Sequence, residues 1–187
     1  MNFEKVSLNQ FIKDAQDCAP GLNKDDYELM YNALKIPKRA TKGSAGYDFF
    51  APFSFQLKAG ESIKIPTGIR VQLDTDKFLA IYPRSGLGFK YKLQLWNGVA
   101  IIDSDYYNSD NEGHIFIKLY NDSPEGKTLL VEQGEAFAQG IIQQYFLTEN
   151  DNTDGIRNGG FGSTTGNGSG YTGIIGIKEV LDSLDGE

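Results

Sequence analysis

Two aspartates and a tyrosine stand close together after a turn in the middle of the chain. The dipeptide Asn97-Gly98 lies between two apolar runs, a pattern typical of a β-hairpin with a type I′ turn. Asp103, Asp105 and Tyr106 follow the returning strand. Carboxylates are suited to proton transfer, so this stretch is a candidate mouth of a catalytic site. The alternative is an ordinary hairpin followed by a solvated acidic loop.

A second candidate site is the donor-rich turn at residues 83–88, PRSGLG. Arg84 offers a guanidinium group, Ser85 a hydroxyl group, and Gly86 an exposed backbone amide. Backbone amides on a tight turn bind anions, and a guanidinium group pairs well with phosphate oxygens. The turn therefore suits a phosphate group, although a plain loop explains the same residues.

The segment RNGGFGSTTG, residues 157–166, is the most informative single stretch. Arg157 supplies a cation and Phe161 an aromatic ring. Small amide and hydroxyl donors follow at Gly162, Ser163 and Thr164. This is the set of groups needed to stack a nucleobase and to wrap its phosphates.

Two further stretches place a polar side chain where a predicted strand begins. Asp48 follows the turn Ser44-Ala45-Gly46, and Gln139 precedes an apolar strand. Each is weak alone, because the first reads as a turn that enters a strand and the second as an exposed amide.

Composition excludes several classes of site. Cys18 is the only cysteine, so neither an intrachain disulfide nor a cysteine-based zinc site can form. His114 is the only histidine, and because no nucleophile stands near it we predict a surface or turn role. The chain has no GxxxxGK[ST] sequence, which excludes a P-loop. The net charge of −7 argues against direct binding to nucleic acid.

The first 35 residues predict two helices in an appended packing unit. Ser7 caps a helix over residues 7–17, and Gln10 is placed to close a capping box. Asn23 caps the second helix, whose apolar residues recur with helical spacing. We expect residues 1–35 to cover the sheet or a neighbouring subunit.

From residue 36 the pattern changes to short alternating runs broken by glycine, proline and aspartate. Residues 36–150 therefore predict an all-β domain, a compact barrel or jelly roll. Residues 151–187 form a glycine-rich arm with little to bury, so we expect it to stay mobile until a ligand or partner fixes it. No stretch reaches the roughly 20 apolar residues of a membrane span, and the N-terminus is too polar for a signal peptide, so we expect a cytoplasmic protein without membrane contact.

Taken in order, these stretches are specific. The series AGYDFFA, PRSGLG, NGVAIIDSDY, GEAFAQ and RNGGFGSTTG resembles the five ordered motifs of the trimeric dUTP pyrophosphatase (dUTPase) family. The resemblance spans residues 36–166. The long loop DYYNSDNEGHI and the helical preface resemble the branch found in Gram-positive bacteria and their phages.

The resemblance implies a jelly-roll subunit in a homotrimer with an active site at each subunit interface. The family reaction is hydrolysis of dUTP to dUMP and pyrophosphate, which limits uracil incorporation into DNA and supplies dUMP for thymidylate synthesis. Mg²⁺ is the implied cofactor. We expect substrate phosphates and waters to hold it, with no direct protein ligand.

The resemblance also implies roles for residues of the central motif. Asp103 matches the general base, which activates a water for attack on the α-phosphorus. Asp105 matches an acid that we assign to structure. Asn97 and the backbone near it match the uracil reader, and Ile102 joins the substrate-binding set. Tyr106 matches the tyrosine that packs under deoxyribose and rejects a 2′-hydroxyl group, with a core aromatic as its alternative role.

The phosphate-binding residues implied by the family come from three other motifs. Ser85 and the Gly86 amide would hold the oxygen between the α- and β-phosphates. Arg84 and Asp48 would form a supporting pair, and Gln139 would reach the α-phosphate side.

The family also implies roles for the C-terminal arm, which would close over a neighbouring subunit's site. Phe161 would cover the uracil and Arg157 would reach the γ-phosphate. Gly162, Ser163 and Thr164 would line the phosphates.

Departures from the family pattern leave alternatives open. Ala136 stands where many members have arginine. The insertion at residues 107–112 lies beside Asp103, and it could reshape access or bind a regulatory protein. One rival function is a dCTP deaminase of the same fold, although that chemistry needs a glutamate near the base where this chain has aspartates. Other rivals are a nucleotide-gated regulator and an inactive β-trimer.

Overall fold

Short strands joined by glycine and proline turns make up most of residues 1–155, the part of the chain that the computed structural model describes. In chain order the strands are β1 (Asn2–Lys5), β2 (Lys38–Arg39), β3 (Tyr47–Phe50), β4 (Phe55–Leu57), β5 (Ser62–Pro66), β6 (Ile69–Gln72), β7 (Lys77–Pro83), β8 (Leu93–Leu95), β9 (Ala100–Asp103), β10 (Phe116–Asn121), β11 (Leu129–Val131) and β12 (Ala136–Gln144). The helices are α1 (Leu8–Cys18), α2 (Lys24–Ala33) and α3 (Ser85–Tyr91), with a 3₁₀ helix at Ser104–Asn108. The predicted all-β, jelly-roll-like class is confirmed.

One five-stranded sheet, ordered β2-β3-β12-β7-β9, carries most of the candidate site residues. Its central strand β12 pairs antiparallel with β3 on one side and with β7 on the other. In this register Gln139 lies opposite both Asp48 and Tyr82. At the sheet's outer edge, Asp103 of β9 lies opposite Phe78 of β7.

The barrel encloses one apolar core built from the inward faces of alternating strands. Ile117 and Leu119 of β10 are buried, as are Ile65 of β5 and Val71 of β6. The predicted period-two pattern is therefore confirmed. Each such side chain contributes about 1.5–3 kcal/mol when it leaves water. Among the described residues, no helix is long and apolar enough to cross a membrane.

The two N-terminal helices form where their caps predict. The Ser7 hydroxyl accepts a hydrogen bond from the Gln10 backbone N–H at 3.2 Å, and Asn23 forms a complete capping box at the start of α2. The predicted box at α1 is wrong. The Gln10 side chain donates to Asp14, while the Ser7 backbone N–H donates to Glu112 at 2.7 Å. The helices pack together around a small core of their own: Val6, Phe11, Ala15, Tyr27, Met30 and Leu34.

The chain turns at Asn97-Gly98, but the predicted type I′ hairpin is wrong. The Leu95 carbonyl accepts from the Gly98 N–H at 3.0 Å, and Gly98 has a φ of 73°. Among the described non-glycine residues, only Lys92 and Glu112 have positive φ, whereas a type I′ turn also needs it at Asn97. Moreover, β8 pairs with β10 and β9 with β7, so the strands that flank the turn lie in different sheets.

The N-terminal extension is not purely helical. Its first residues form β1, which pairs antiparallel with β6 of the barrel. Glu4 of this strand forms an ion pair with Arg70 at 2.9 Å and accepts a hydrogen bond from the Tyr107 hydroxyl at 2.8 Å. The extension is therefore joined to the barrel by backbone pairing and by polar side chains.

The side chain of His114 lies in the core, so the predicted surface role is wrong, whereas its backbone N–H closes a turn on the Asn111 carbonyl at 3.1 Å. Its side chain is fully buried. The Gly68 N–H donates to Nε2 at 2.8 Å, which places the ring proton on Nδ1. Nδ1 then donates to Asp14 Oδ2 at 2.6 Å. The sequence around His114 does not reveal this contact, since Asp14 lies 100 residues away.

The contact between Glu112 and Ser7 predicts a specific response to acid. Hydrogen bonds from the Ser7 backbone N–H and hydroxyl hold the pKa of the Glu112 carboxyl below its usual range. A depressed folded-state pKa stabilises the protein above the unfolded value, about 4.3 for glutamate, and this contribution is lost as the pH falls through the folded pKa. Glu112→Gln should therefore have a lower Tm than the wild type near neutral pH, with a gap that narrows below about pH 4.

Thermal unfolding of both proteins across this pH range checks the prediction. Glu28→Gln is the matched control, because Glu28 makes only an exposed i,i+4 pair with Lys24 at 3.4 Å. A difference in Tm between Glu112→Gln and the wild type that stays constant from neutral to acid pH would contradict the prediction.

Candidate active site

A cleft of about 290 Å³ lies where β3, β12 and the start of α3 meet. Side chains and backbone from three of the sequence motifs line it. Its lining residues are Ala40, Ser44, Gly46, Asp48, Arg84, Ser85, Gly86, Leu87 and Gln139. Residues far apart in sequence are thus brought together by adjacent strands of one sheet.

Arg84 is held on both sides at the rim of this cleft. Its Nε lies 3.1 Å from Asp48 Oδ1, and its Nη1 donates to the Ala136 carbonyl at 3.2 Å. The pairing of Arg84 with Asp48 agrees with the sequence prediction. Because 41% of the Arg84 side chain is exposed, the guanidinium group keeps donors available to an anion in the cleft. The bond to Ala136 uses the backbone, so the absence of an arginine at position 136 leaves it intact.

Gln139 is fixed beside the cleft by a contact with the end of β7. Its Nε2 donates to the Pro83 carbonyl at 3.1 Å. A Cβ atom at Gly46 would collide with Gln139 Oε1. Glycine at position 46 is therefore needed for Gln139 to keep this position.

Helix α3 begins at the cleft with Ser85 and Gly86. Arg84 is its N-cap, and the first bonds of the helix run from the Leu87 and Gly88 N–H groups to the Arg84 carbonyl. The preceding amides of Ser85 and Gly86 have no such intrahelical partner. A Cβ atom at Gly86 would meet nothing within 4 Å in the described chain, so space is open beside these amides. This arrangement suits the oxygens of a phosphate group.

Asp103 ends β9 at the edge of the same sheet. It is half-buried and serves as the N-cap residue of the 3₁₀ helix that carries Asp105 on its exposed side. Alternation along β9 places Ile101, which is 49% exposed, on the same face as Asp103. Ile102 points the other way and is buried. The assignment of Ile102 to the substrate-binding set stays a prediction, and its buried side chain lies on the face of β9 opposite to Asp103.

Tyr106 belongs to the core in this structure. Only 2% of it is exposed, and its hydroxyl donates to the His114 carbonyl at 2.8 Å. A ring buried to this extent has no accessible face for a sugar. The predicted contact with deoxyribose is therefore not supported, and the alternative role as a core aromatic agrees with the structure.

Asn97 lies at an exposed turn beside Gly98. The N–H groups of Gly98 and Val99 are used within the turn, by the carbonyls of Leu95 and Asn97. The Asn97 side chain is outward and accessible, as a residue that reads a nucleobase must be.

Strand β7 separates the two halves of the candidate site. Asp103 lies opposite Phe78 near the start of β7, whereas Arg84 follows Pro83 at its end. At about 3.3 Å per residue, these positions are about 15–20 Å apart. A single chain therefore does not bring the Asp103 carboxylate to the cleft that contains Arg84.

A family model described as dUTPase matches residues 32–169. The chain belongs to the dUTPase family. A relative from Lactococcus lactis, named deoxyuridine 5′-triphosphate nucleotidohydrolase, is 40% identical over 134 residues, which is 70% of this chain and 88% of the relative. The family match includes all five motifs.

Solved structures of other family members share the fold. A dUTPase from Streptococcus mutans is 29% identical with a TM-score of 0.58, over 80% of this chain and 99% of that one. A mutant dUTPase from phage phi11 of S. aureus, whose structure is described as showing coordination of a structural Mg(II) ion, is 21% identical. Its TM-score is 0.55, over 68% of this chain and 94% of that one, and this likeness concerns the fold alone.

Some of the predicted site residues of this dUTPase-family chain lie outside the described residues: Arg157, Phe161, Gly162, Ser163 and Thr164. Their roles and the boundary of the 151–187 arm stay predictions. Sequence analysis also missed cleft residues. Ala40, Ser44 and Leu87 line the cleft. Ser44 could have been found from its place in the motif that contains Asp48, but the loop geometry that brings Ala40 there has no clear sequence signal.

Gly46→Ala should displace the Gln139 side chain and weaken anion binding in the cleft. Loss of one hydrogen-bonding side chain, about 0.5–1.5 kcal/mol, corresponds to about a two- to tenfold rise in the Kd for inorganic pyrophosphate. The measurement is isothermal titration calorimetry. Gly43→Ala is the control, since a Cβ atom there would meet nothing within 4 Å. Equal affinities for the two variants would show that Gly46 does not position Gln139.

Proposed function

We propose that this protein hydrolyses dUTP to dUMP and pyrophosphate, through attack on the α-phosphorus by a water that Asp103 deprotonates. The observation that carries the proposal is the cleft of fixed donors assembled from three family motifs around Arg84. Membership of the dUTPase family supports the choice of substrate. Such an activity limits uracil incorporation into DNA and supplies dUMP for thymidylate synthesis, a role that fits a cytoplasmic protein.

The cleft binds the phosphates in this proposal. Its guanidinium group, serine hydroxyl group and first-turn amides are all hydrogen-bond donors, which match phosphate oxygens. Such donors stabilise the negative charge that develops at the reacting phosphate. The guanidinium group of Arg84 needs little reorganisation, because its contact with Asp48 holds it in place. Ser85 and the Gly86 amide would hold the oxygen between the α- and β-phosphates.

Magnesium fits this site as part of the substrate complex. The one carboxylate in the cleft, Asp48, is already paired with Arg84. Within residues 1–155 no cluster of three or more acidic, histidine or cysteine side chains could hold a metal ion. Triphosphate oxygens and waters would supply the ligands, and the bound ion would neutralise charge on the phosphates. Arg84 and Ser85 would then orient the magnesium complex of dUTP.

A complete site would form between subunits of a homotrimer. The cleft of one chain and the Asp103 carboxylate of another can meet around one substrate, although β7 keeps them apart within each chain. Closed rotational symmetry makes every such pairing equivalent. We assign the arm of residues 151–187 to the closure of this site, with Phe161 on the uracil and Arg157 at the γ-phosphate.

The exposed turn at Asn97 would select uracil. Uracil presents acceptor, donor and acceptor along one edge, which a side-chain amide and nearby backbone groups can match. Cytosine would place a donor against a donor, and each buried group left unpaired costs about 1–3 kcal/mol.

None of the rival functions gains a specific observation. The DSDYY run at residues 103–107 supplies two aspartates and no glutamate, whereas a dCTP deaminase needs a glutamate near the base. A regulatory protein partner at residues 107–112 also gains no support, because Tyr107 and Glu112 make their polar contacts within the chain.

Asp103→Asn should abolish hydrolysis and preserve substrate binding. An amide cannot accept the proton of the attacking water, and loss of a general base lowers kcat by about 10²–10⁴-fold. The measurement is pyrophosphate release from dUTP, with the Kd of a non-hydrolysable analogue measured in parallel. Asp17→Asn is the matched control, since it makes the same chemical change at an exposed position of α1.

Retention of wild-type turnover in Asp103→Asn would refute the proposed base. Release of ammonia from dCTP, or absence of pyrophosphate from dUTP with the wild type, would refute the proposed reaction itself.

A further inference from the structure

The loop that follows Asp103 is held from outside by the N-terminal extension. The Tyr107 hydroxyl donates to Glu4 of β1 at 2.8 Å. Glu112 accepts two hydrogen bonds at 2.7 Å each, from the backbone N–H and from the hydroxyl of Ser7, the N-cap of α1. Residues more than 100 positions apart are thus joined by bonds to charged acceptors, which are stronger than neutral ones.

Hydrogen bonds to the buried residue Tyr106 also hold this loop. The Tyr106 hydroxyl donates to the His114 carbonyl and accepts from Asn111 Nδ2, both at 2.8 Å. The Ser109 hydroxyl donates to the Tyr106 carbonyl at 2.7 Å. A Cβ atom at Gly113 would lie 2.9 Å from that carbonyl, so glycine is required where the loop closes.

His114 joins these two sets of contacts. Its carbonyl binds the Tyr106 hydroxyl, and its buried ring bridges Asp14 of α1 and the Gly68 backbone. The path from α1 to the 3₁₀ helix is therefore continuous. Asp103 is the residue at the N-cap position of that helix, three residues before Tyr106.

Glu112 adopts a backbone conformation that glutamate rarely takes. Its φ is 59°, in the left-handed region that non-glycine residues avoid. Such conformations persist where surrounding contacts over-determine them, and they concentrate near functional sites. Here the two bonds from Ser7, together with the hydrogen bond from the Glu112 backbone N–H to the Ser109 carbonyl at 2.8 Å, hold it.

We propose that Glu112 and His114 are positioning residues for Asp103, and that the N-terminal extension is the outer support through which they act. The extension then belongs to the catalytic apparatus as well as to the fold. This inference rests on the proposed role of Asp103 as general base. In this proposal, the insertion at residues 107–112 serves to contact the N-terminal extension.

Two variants test the contact between Glu112 and Ser7 from opposite sides. Glu112→Gln places an amide where two donors meet. Ser7→Ala leaves the loop sequence unchanged and removes one of those donors, together with the hydroxyl group that caps α1. Because small displacements of a reacting group are costly, we expect each to lower kcat for dUTP by about tenfold with KM within about twofold of the wild type. Steady-state pyrophosphate release from the folded full-length proteins measures both constants, well below their Tm.

Glu28→Gln is the matched control, because it makes the same chemical change on α2 away from the loop. If Glu112→Gln does not fold, Ser7→Ala decides alone. Values of kcat equal to that of Glu28→Gln would overturn the inference, and so would a rise in KM with kcat unchanged. Asp103→Asn is measured alongside: if it keeps full turnover, the proposed base is refuted, whereas its loss of turnover with normal kcat in Ser7→Ala refutes only the positioning role.

Discussion

The length of strand β7 is the constraint on which the candidate site depends. It ends at Pro83, directly before Arg84 of the cleft, and its start lies opposite Asp103 across the antiparallel pairing with β9. Backbone hydrogen bonds on both sides of β7 fix this separation. A chain so built can bind phosphate oxygens at one end of the strand and present a carboxylate at the other, but it cannot bring the two together. In the proposed homotrimer, each subunit would therefore supply the cleft to one site and the Asp103 carboxylate to another.

Polar contacts play different roles at the two ends of β7. Around the cleft these contacts fix side-chain donors. Arg84 forms an ion pair with Asp48, and Gln139 donates a hydrogen bond to the Pro83 carbonyl. Around Asp103 they fix backbone, through Tyr106 and the loop that Glu112 ties to the N-terminal extension. Preorganised donors and a constrained base are what hydrolysis of a triphosphate requires, because the chemistry is mostly positioning and charge stabilisation.

Local signals in the sequence predicted local structure well. The caps at Ser7 and Asn23 and the alternating core positions depend on neighbours within a few residues, so the sequence contains the information needed. Motif order also predicted the pairing of Arg84 with Asp48. The errors arise where partners are distant in sequence. At the start of α1, the Ser7 backbone N–H donates to Glu112 where a side-chain acceptor at Gln10 was expected. The buried His114 ring is hydrogen-bonded to Asp14. The two strands of the expected hairpin belong to different sheets. The sequence did not indicate the burial of Tyr106 and Ile102 for a related reason: motif identity does not specify which side of a strand or helix faces the core.

Complementation between inactive variants tests most directly whether the site forms between chains. Asp103→Asn chains keep an intact cleft, and Ser85→Ala chains keep an intact carboxylate. If the two halves come from different subunits, random mixing in equal amounts should restore about one quarter of the wild-type sites. Pyrophosphate release from dUTP would rise accordingly, with mixed oligomers verified by native mass spectrometry. Mixed oligomers that remain as inactive as their parents would contradict the account.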